Sequence, residues 1–329
     1  MIKRLLILFF LLLLAAGAFL YWSLGLPYKG FPNEVFLDIP LKTPTVEMAK
    51  MLRVAGVIKS DWQFLLARAI SSRANLQAGE YRFADPASVW KVFGRIASGD
   101  IHTYELRVPE GSNYFDIANL VQEMQLIRAE DFRNAAKDPA LIRDLAPSSP
   151  SLEGYLFPAT YKITRHTTAR QLCQQMTDRF RREWKEIAKG AVDVQRTATL
   201  ASLIEKETAV PSERPTVASV FQNRLDLNMT LDCDPTTIYA ALLENRYRGK
   251  IYQSDLQSQN PYNTYRHAGL PPGPIANAGS ESLKAALSPA DTDFLFFVAK
   301  PGGAGQHSFS RSMSEHADAV RAYRSGQAR

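Results

Sequence analysis

The chain has 329 residues, enough for about two domains of ordinary size. Its 46% hydrophobic and 22% charged residues supply a packed core, which excludes a disordered or low-complexity chain. A net charge of +6 favours anionic partners, and two cysteines, Cys173 and Cys233, are too few for a disulfide framework.

The first element is "MIKRLLILFFLLLLAAGAFLYWSLGLPY". No charge falls between Leu5 and Leu26, a run of about 22 residues and long enough to cross a bilayer as a helix. Ala15-Ala16-Gly17-Ala18 resembles a signal-peptide cleavage site, but the apolar run continues through Phe19, Leu20, Tyr21, Trp22 and Leu24, which favours a retained anchor. Lys3 and Arg4 precede the span and Lys29 follows it. The positive-inside rule therefore keeps residues 1–4 cytoplasmic, makes 5–26 the anchor and exports the rest from the inner membrane. An exported basic domain meets anionic envelope polymers and lipid head groups, not nucleic acid.

Next comes a segment that occurs twice. "VFLDIPLKTPTVEMAKMLRVAGVIKSDWQFLLA" from Val35 aligns without gaps to "YELRVPEGSNYFDIANLVQEMQLIRAEDFRNAA" from Tyr104, an offset of about 69 residues. Leu37 matches Leu106, Pro40 matches Pro109, Leu52 matches Val121 and Ile58 matches Ile127. Each copy reads as a short strand ended by proline, a turn, an amphipathic helix and a second helix. "LQAGEYRF" between the copies predicts another strand, and "SVWKVFGRIASGD" a helix closed by Gly99. Two copies are too few for a solenoid, so residues 27–150 are expected to form a compact α+β module. Strand-helix-helix-strand units of this kind resemble LysM domains, which bind N-acetylglucosamine polymers.

A Pro/Ser-rich stretch from Asp138 to Ser151 marks a boundary, and a mixed α+β domain is expected over 151–329. It opens with "SLEGYLFPATYKI", aromatics around one acid, Glu153, which suit either a core or a sugar groove. "LASLIEKETAVPSERP" follows, with a helix expected from Thr197 to Val210 and ended by Pro211. With Leu200 at zero on the helical wheel, Leu203 falls at about 300° and Ile204 at about 40°, so the buried stripe centres near zero. Glu205 falls at about 140°, facing solvent, and Glu207 at about 340°, inside the stripe. Burial and the negative helix end both raise a carboxyl pKa there, which suits a general acid. Geometry alone admits a second reading, a buried Glu207 paired with Arg214 or Arg224.

Val217, Val220 and Phe221 share a stripe on the next helix, and Asn223, Asp234, Thr236, Thr237 and Tyr239 follow in close succession. "NPYNTYRHAGLPPGPIANAGSESLKAALSPA" is a long loop whose Asn and Tyr side chains suit sugar hydroxyls or, equally, a structural Ω-loop. "DFLFFVA" and "HSFS" predict a β-hairpin; His307 and His316 read as structural, and no spacing of histidines and cysteines suggests a metal site.

Taken in order, "LEGYLFPATY", "ASLIEKETAVPSERPTVASVFQNRL", "LDCDPTTIYA", "NPYNTYRHAGLPPGPIANAGSESLKAAL" and "FLFFVAKPGGAGQHSFSRSMSEH" resemble the successive motifs of the endolytic murein transglycosylases (MltG, YceG-like). Pro211 departs from the pattern without removing a chemical group. The resemblance implies that 151–329 is a catalytic domain cutting nascent peptidoglycan strands between N-acetylmuramic acid and N-acetylglucosamine and leaving 1,6-anhydro ends. It implies that Glu207, not Glu205, is the catalytic glutamate. Beside it, Asn263, Tyr265, Tyr239 and Asp234 are expected to shape the groove or hold supporting loops, and Glu153 to support the site or be a second carboxylate. No cofactor or metal is implied; cell-wall synthases are implied partners. Two rivals stand beside it: a membrane-anchored glycan-binding scaffold without catalysis, and a two-carboxylate muramidase.

Overall fold

A computed structural model describes residues 2–303 and 305–327. The chain divides into two compact units, the first running to Tyr104 and taking in Lys162–His166, the second made of Glu105–Tyr161 and the chain from Thr167 onward.

The first unit holds α1 (Ile2–Gly25), β1 (Val35–Ile39), α2 (Thr45–Val54), α3 (Asp61–Ile70), β2 (Gly79–Phe83) and α4 (Val89–Ser98). β1 and β2 pair antiparallel, Val35 opposite Phe83 and Ile39 opposite Gly79. Helical spacing turns Met48, Ala49 and Leu52 of α2, Phe64 and Ala67 of α3, and Val92, Phe93 and Ile96 of α4 into one core with Ile39 and Tyr81. Ser88 caps α4 by accepting from the Lys91 N–H, and Gly99, left-handed at φ 70°, ends it as the sequence predicts. Helix α1 is long and apolar enough to cross a membrane. Its side chains from Leu5 to Leu14 are exposed, but Leu24 in the last turn is fully buried in the core, and Gln63 Nε2 donates to the Ser23 carbonyl at 3.1 Å. The base of the apolar helix is thus part of the folded unit.

β3 (Tyr104–Arg107) and β4 (Thr160–Ile163) form a second two-stranded sheet. In the second unit, α5 (Tyr114–Glu123) starts at a reciprocal cap between Asn113 and Asp116 and is followed by α6 (Ala129–Lys137). Both copies of the repeat therefore form strand-helix-helix, the first within the first compact unit and the second, after Tyr104, within the second. The second copy is tied to the chain that follows it: the Leu152 N–H donates to the Ala136 carbonyl at 2.8 Å, and the Tyr114 N–H donates to Glu153 Oε2 at 3.0 Å. Both bonds lie within the second unit.

The rest of this unit is α7 (Ala169–Ile187), α8 (Val194–Glu207), α9 (Arg214–Asp226), α10 (Asp234–Leu243), α11 (Gln253–Leu256), α12 (Ser280–Leu287), β5 (Phe296–Ala299), β6 (His307–Ser310) and α13 (Met313–Gln327). β5 and β6 form the expected hairpin, Phe296 opposite Ser310. Helix α8 is the centre. Every residue from Thr197 to Ile204 is buried, because α9, α10 and α12 all pack on it. Gly154 needs its positive φ of 86° and its missing side chain, since a Cβ would lie 2.3 Å from Pro274 Cγ. That approach lets Asn277 Oδ1 accept from the Gly154 and Leu156 N–H groups at 2.8 and 2.9 Å.

Candidate active site

Helix α8 begins at an Asp193 cap, whose side chain accepts from the Arg196 N–H, and ends at Glu207. Thr208 leaves the helix in an extended conformation, φ −134° and ψ 129°. Pro211 opens a short 3-10 turn to Glu213 that leads into α9, so the helix stops three residues before Val210. Glu207 is consequently the last helical residue, on a backbone rigidified by the buried helix behind it.

The two glutamates of "IEKE" do differ, but not as solvated against buried. Glu205 is enclosed, its side chain only 6% exposed. It accepts from Arg214 Nη2 at 3.1 Å and from the Gly279 N–H at 3.0 Å. The wheel assumed one buried face; α9 and α12 cover α8 on the other side as well. Glu205 is thus a buried, charge-compensated anion.

Glu207 makes no ion pair among the described residues. Arg214 is taken by Glu205, with Glu110 further off at 3.8 Å. Arg224 is spent on Leu295, Thr230 and Leu231 carbonyls and on Asp232, at 2.7 to 3.2 Å. Neither arginine is the partner that the ion-pair reading of Glu207 requires. What Glu207 receives is the thiol of Cys233, whose Sγ donates to Oε1 at 3.0 Å. Burial raises the Glu207 pKa, and the Asp234 charge raises it further; the Cys233 hydrogen bond and the nearby His307 oppose them without reversing the shift.

Glu207 lines a cavity of ≈ 400 Å³ with Cys233, Asp234, Tyr265, Arg224 and His316. Tyr265 Oη donates to Asp234 Oδ1 at 2.7 Å, so two of the sequence-predicted groove residues sit together in the cavity wall. The other three lie elsewhere. Asn263 is fully buried; its amide donates to the Leu256 and Ser258 carbonyls at 3.0 and 2.8 Å, and its Oδ1 accepts from the Tyr265 N–H at 3.1 Å. It holds the loop that presents Tyr265. Tyr239, 2% exposed, packs against Tyr262, Tyr114 and Phe115.

Glu153 is 1% exposed and accepts from the Tyr114 N–H at 3.0 Å and Asn277 Nδ2 at 2.7 Å. Burial pushes its pKa up to about 8 against these hydrogen bonds, Tyr239 among them. It joins α5 to the loop before α12 and does not line the cavity, so it is not placed as a second carboxylate there.

Three contributors escape the sequence reading. Cys233 and Cys173 are both free and buried, so they do not pair; Cys233 is a partner of Glu207, not an isolated thiol. Its position directly before Asp234-Pro235, at a helix start, was the available signal. His316 stacks on Phe296 at 5.2 Å, lines the cavity, and has a buried Nδ1 without a hydrogen-bond partner among the described residues. His307 is held twice by Glu213, through its N–H at 2.9 Å and its Nδ1 at 2.8 Å.

A half-buried carboxyl with no ion pair among the described residues, lining a polar and aromatic cavity at the end of a buried helix, has the setting that acid–base chemistry needs, and the protein around it is of mixed α/β class. Residues 37–322 match the YceG-like family model, and the chain belongs to that family. A relative named endolytic murein transglycosylase from Bacillus subtilis (strain 168) is 32% identical over 94% of this chain and 91% of its own length. One of the same name from Streptococcus pneumoniae serotype 2 is 28% identical over 88% of this chain, which spans only 59% of that longer protein. A crystal structure of a YceG-like protein from Listeria monocytogenes superposes with a TM-score of 0.55 at 29% identity, covering 88% of this chain and 99% of that one.

Proposed function

We propose that this chain is a membrane-anchored lytic transglycosylase that cuts murein glycan strands internally, with Glu207 as its one catalytic carboxyl. The observation that supports this most directly is the state of Glu207: half-buried in a cavity wall, free of any ion pair among the described residues, and with its pKa raised by burial. Such a carboxyl holds its proton where ordinary glutamates have lost theirs.

The step uses that proton once in each direction. Protonated Glu207 gives it to the glycosidic oxygen between N-acetylmuramic acid and N-acetylglucosamine as the C1–O bond breaks. The resulting carboxylate takes the proton of the muramic C6 hydroxyl, whose oxygen closes on C1. The product is a 1,6-anhydro end, and no water enters. An intramolecular hydroxyl has so large an effective concentration that a second carboxylate to activate water is unnecessary. In this reading Asp234 and Tyr265 shape the groove, while Asn263, Tyr239 and Glu153 support it from behind. No cofactor takes part.

The remaining assignments belong to the same proposal, and the apolar α1 supports the first of them. α1 anchors the chain in the inner membrane with residues 1–4 cytoplasmic and the catalytic unit outside. The β1-α2-α3-β2 unit acts as a LysM-like glycan-binding module, and the partners are nascent glycan strands and the synthases that make them. A second reading, two-carboxylate hydrolysis, has one observation in its favour: Asp234 lines the cavity beside Glu207.

Digestion of purified sacculi with mass readout separates the readings. Anhydro-ended products, one water lighter than reducing ends, are expected. Reducing ends would give the site to hydrolysis, and no cleavage by folded protein would leave a binding scaffold.

A further inference from the structure

The thiol of Cys233 is the one hydrogen-bond partner recorded for the Glu207 carboxyl among the described residues, at 3.0 Å from Oε1. The thiol is not loosely placed. Cys233 is 2% exposed, and its backbone is pinned on both sides. Its N–H donates to Thr264 Oγ1 at 3.1 Å, and its carbonyl accepts from Thr236 Oγ1 at 2.6 Å. The two threonine hydroxyls lie 2.9 Å apart, closing the network between the start of α10 and the loop of Asn263 and Tyr265. The same loop therefore sets the cavity wall and the thiol.

We propose that Cys233 is a positioning residue for Glu207: its S–H, bonded to Oε1, makes that oxygen the acceptor and leaves Oε2 to carry the proton that is delivered to the glycosidic oxygen. This rests on the catalytic reading of Glu207 given above. A thiol suits the task because it is a weak donor. It orients the carboxyl in both protonation states without holding the carboxylate so strongly that the proton is lost early. Burial and the neighbouring acid keep the thiol protonated, so the donor persists across the pH range in which Glu207 titrates.

Other charged groups face Glu207 as well. Asp234 follows Cys233 on α10 and disfavours the carboxylate, while His307 on β6 favours it. Arg224 from α9, Asp232 and Tyr265 from the flanking loops and His316 from α13 line the same cavity. None of these donates a hydrogen bond to Glu207, so a change at Cys233 is distinguishable from a change in the surrounding charge.

The test is the pH profile of glycan-strand cleavage by full-length Cys233→Val, Cys233→Ala and Cys233→Ser. Val keeps most of the thiol's volume and removes the donor; Ala removes both; Ser keeps a donor. The alkaline limb, where Glu207 loses its proton, is expected to move to higher pH in the Val and Ala variants. Their kcat should fall roughly three- to tenfold, as loss of one hydrogen bond implies, with KM little changed. Ser should restore kcat and return the limb toward that of the parent. A wild-type limb and kcat in a folded Val or Ala variant would overturn the inference. So would a Ser variant that behaves like Val, since that makes the effect one of packing. Glu207→Gln is measured alongside. If it remains active, the catalytic reading itself fails; if it is inactive while Cys233→Val is unchanged, only the role of Cys233 falls.

Discussion

Arg214 lies 3.1 Å from Glu205 and so is unavailable to Glu207 two residues further along the same helix. One guanidinium thereby divides two neighbouring acids into one with an ion pair and one with none among the described residues. Glu205 has its counter-ion and a backbone N–H. Glu207 has a weak thiol donor and a cavity.

Glu207→Gln should lose at least about a hundredfold in cleavage rate, the usual scale for removing a positioned acid–base group. Its melting temperature should hold or rise, because a half-buried carboxyl with no ion pair among the described residues is replaced by a neutral isostere. Product mass spectrometry and a thermal melt on one preparation check both halves.

Glu205→Gln should behave in the opposite way. Arg214, with a side chain only 9% exposed, would be left without its closest anion. Breaking one partner of a buried pair costs about 3–5 kcal/mol, so the loss should appear as a lower urea midpoint. Activity should follow the folded fraction; full stability with selective loss of catalysis would make Glu205 a reacting group.

Asp234→Asn bears on the hydrolase reading. The Asp234 charge is one of the groups that raise the Glu207 pKa, so removing it should move the alkaline limb of the rate profile to lower pH. That direction is opposite to the one expected for the Cys233 variants lacking a donor. Cleavage should persist with anhydro-ended products. A variant that binds strands but no longer cuts them would make Asp234 the second carboxylate.

Glu153 predicts a pH dependence of stability. Its folded pKa is raised to about 8 by burial, above the ordinary 4.5. Between those values the folded state holds a proton that the unfolded chain releases. Stability from this group is therefore fully present below the ordinary value and is lost as pH rises through about 8. Chemical denaturation from pH 5 to 9 should show the decline, and Glu153→Gln should flatten it even if its overall stability is lower. A parent protein with no decline across that range would refute the assignment.

Periodicity and punctuation carried the local structure. The apolar run of α1, both strand-helix-helix copies, the Gly99 cap and the β5–β6 hairpin were readable because each is fixed by neighbours within a few residues. The wheel placed Glu207 among buried groups for the same reason. It misjudged Glu205 because burial on a second face depends on α9 and α12, which helical phase does not encode.

The amino-acid sequence by itself determined the elements, the anchor-like start and the ordered motifs that mark the family. Tertiary structure alone decided which charges meet: Arg214 with Glu205, Arg224 with carbonyls, Asn277 with Glu153, and the Cys233 thiol with Glu207. The physical reason is range. Backbone conformation and amphipathic phase are set by residues a few positions apart, whereas the protonation of Glu207 and Glu153 is set by desolvation and by partners 26 to 124 positions away.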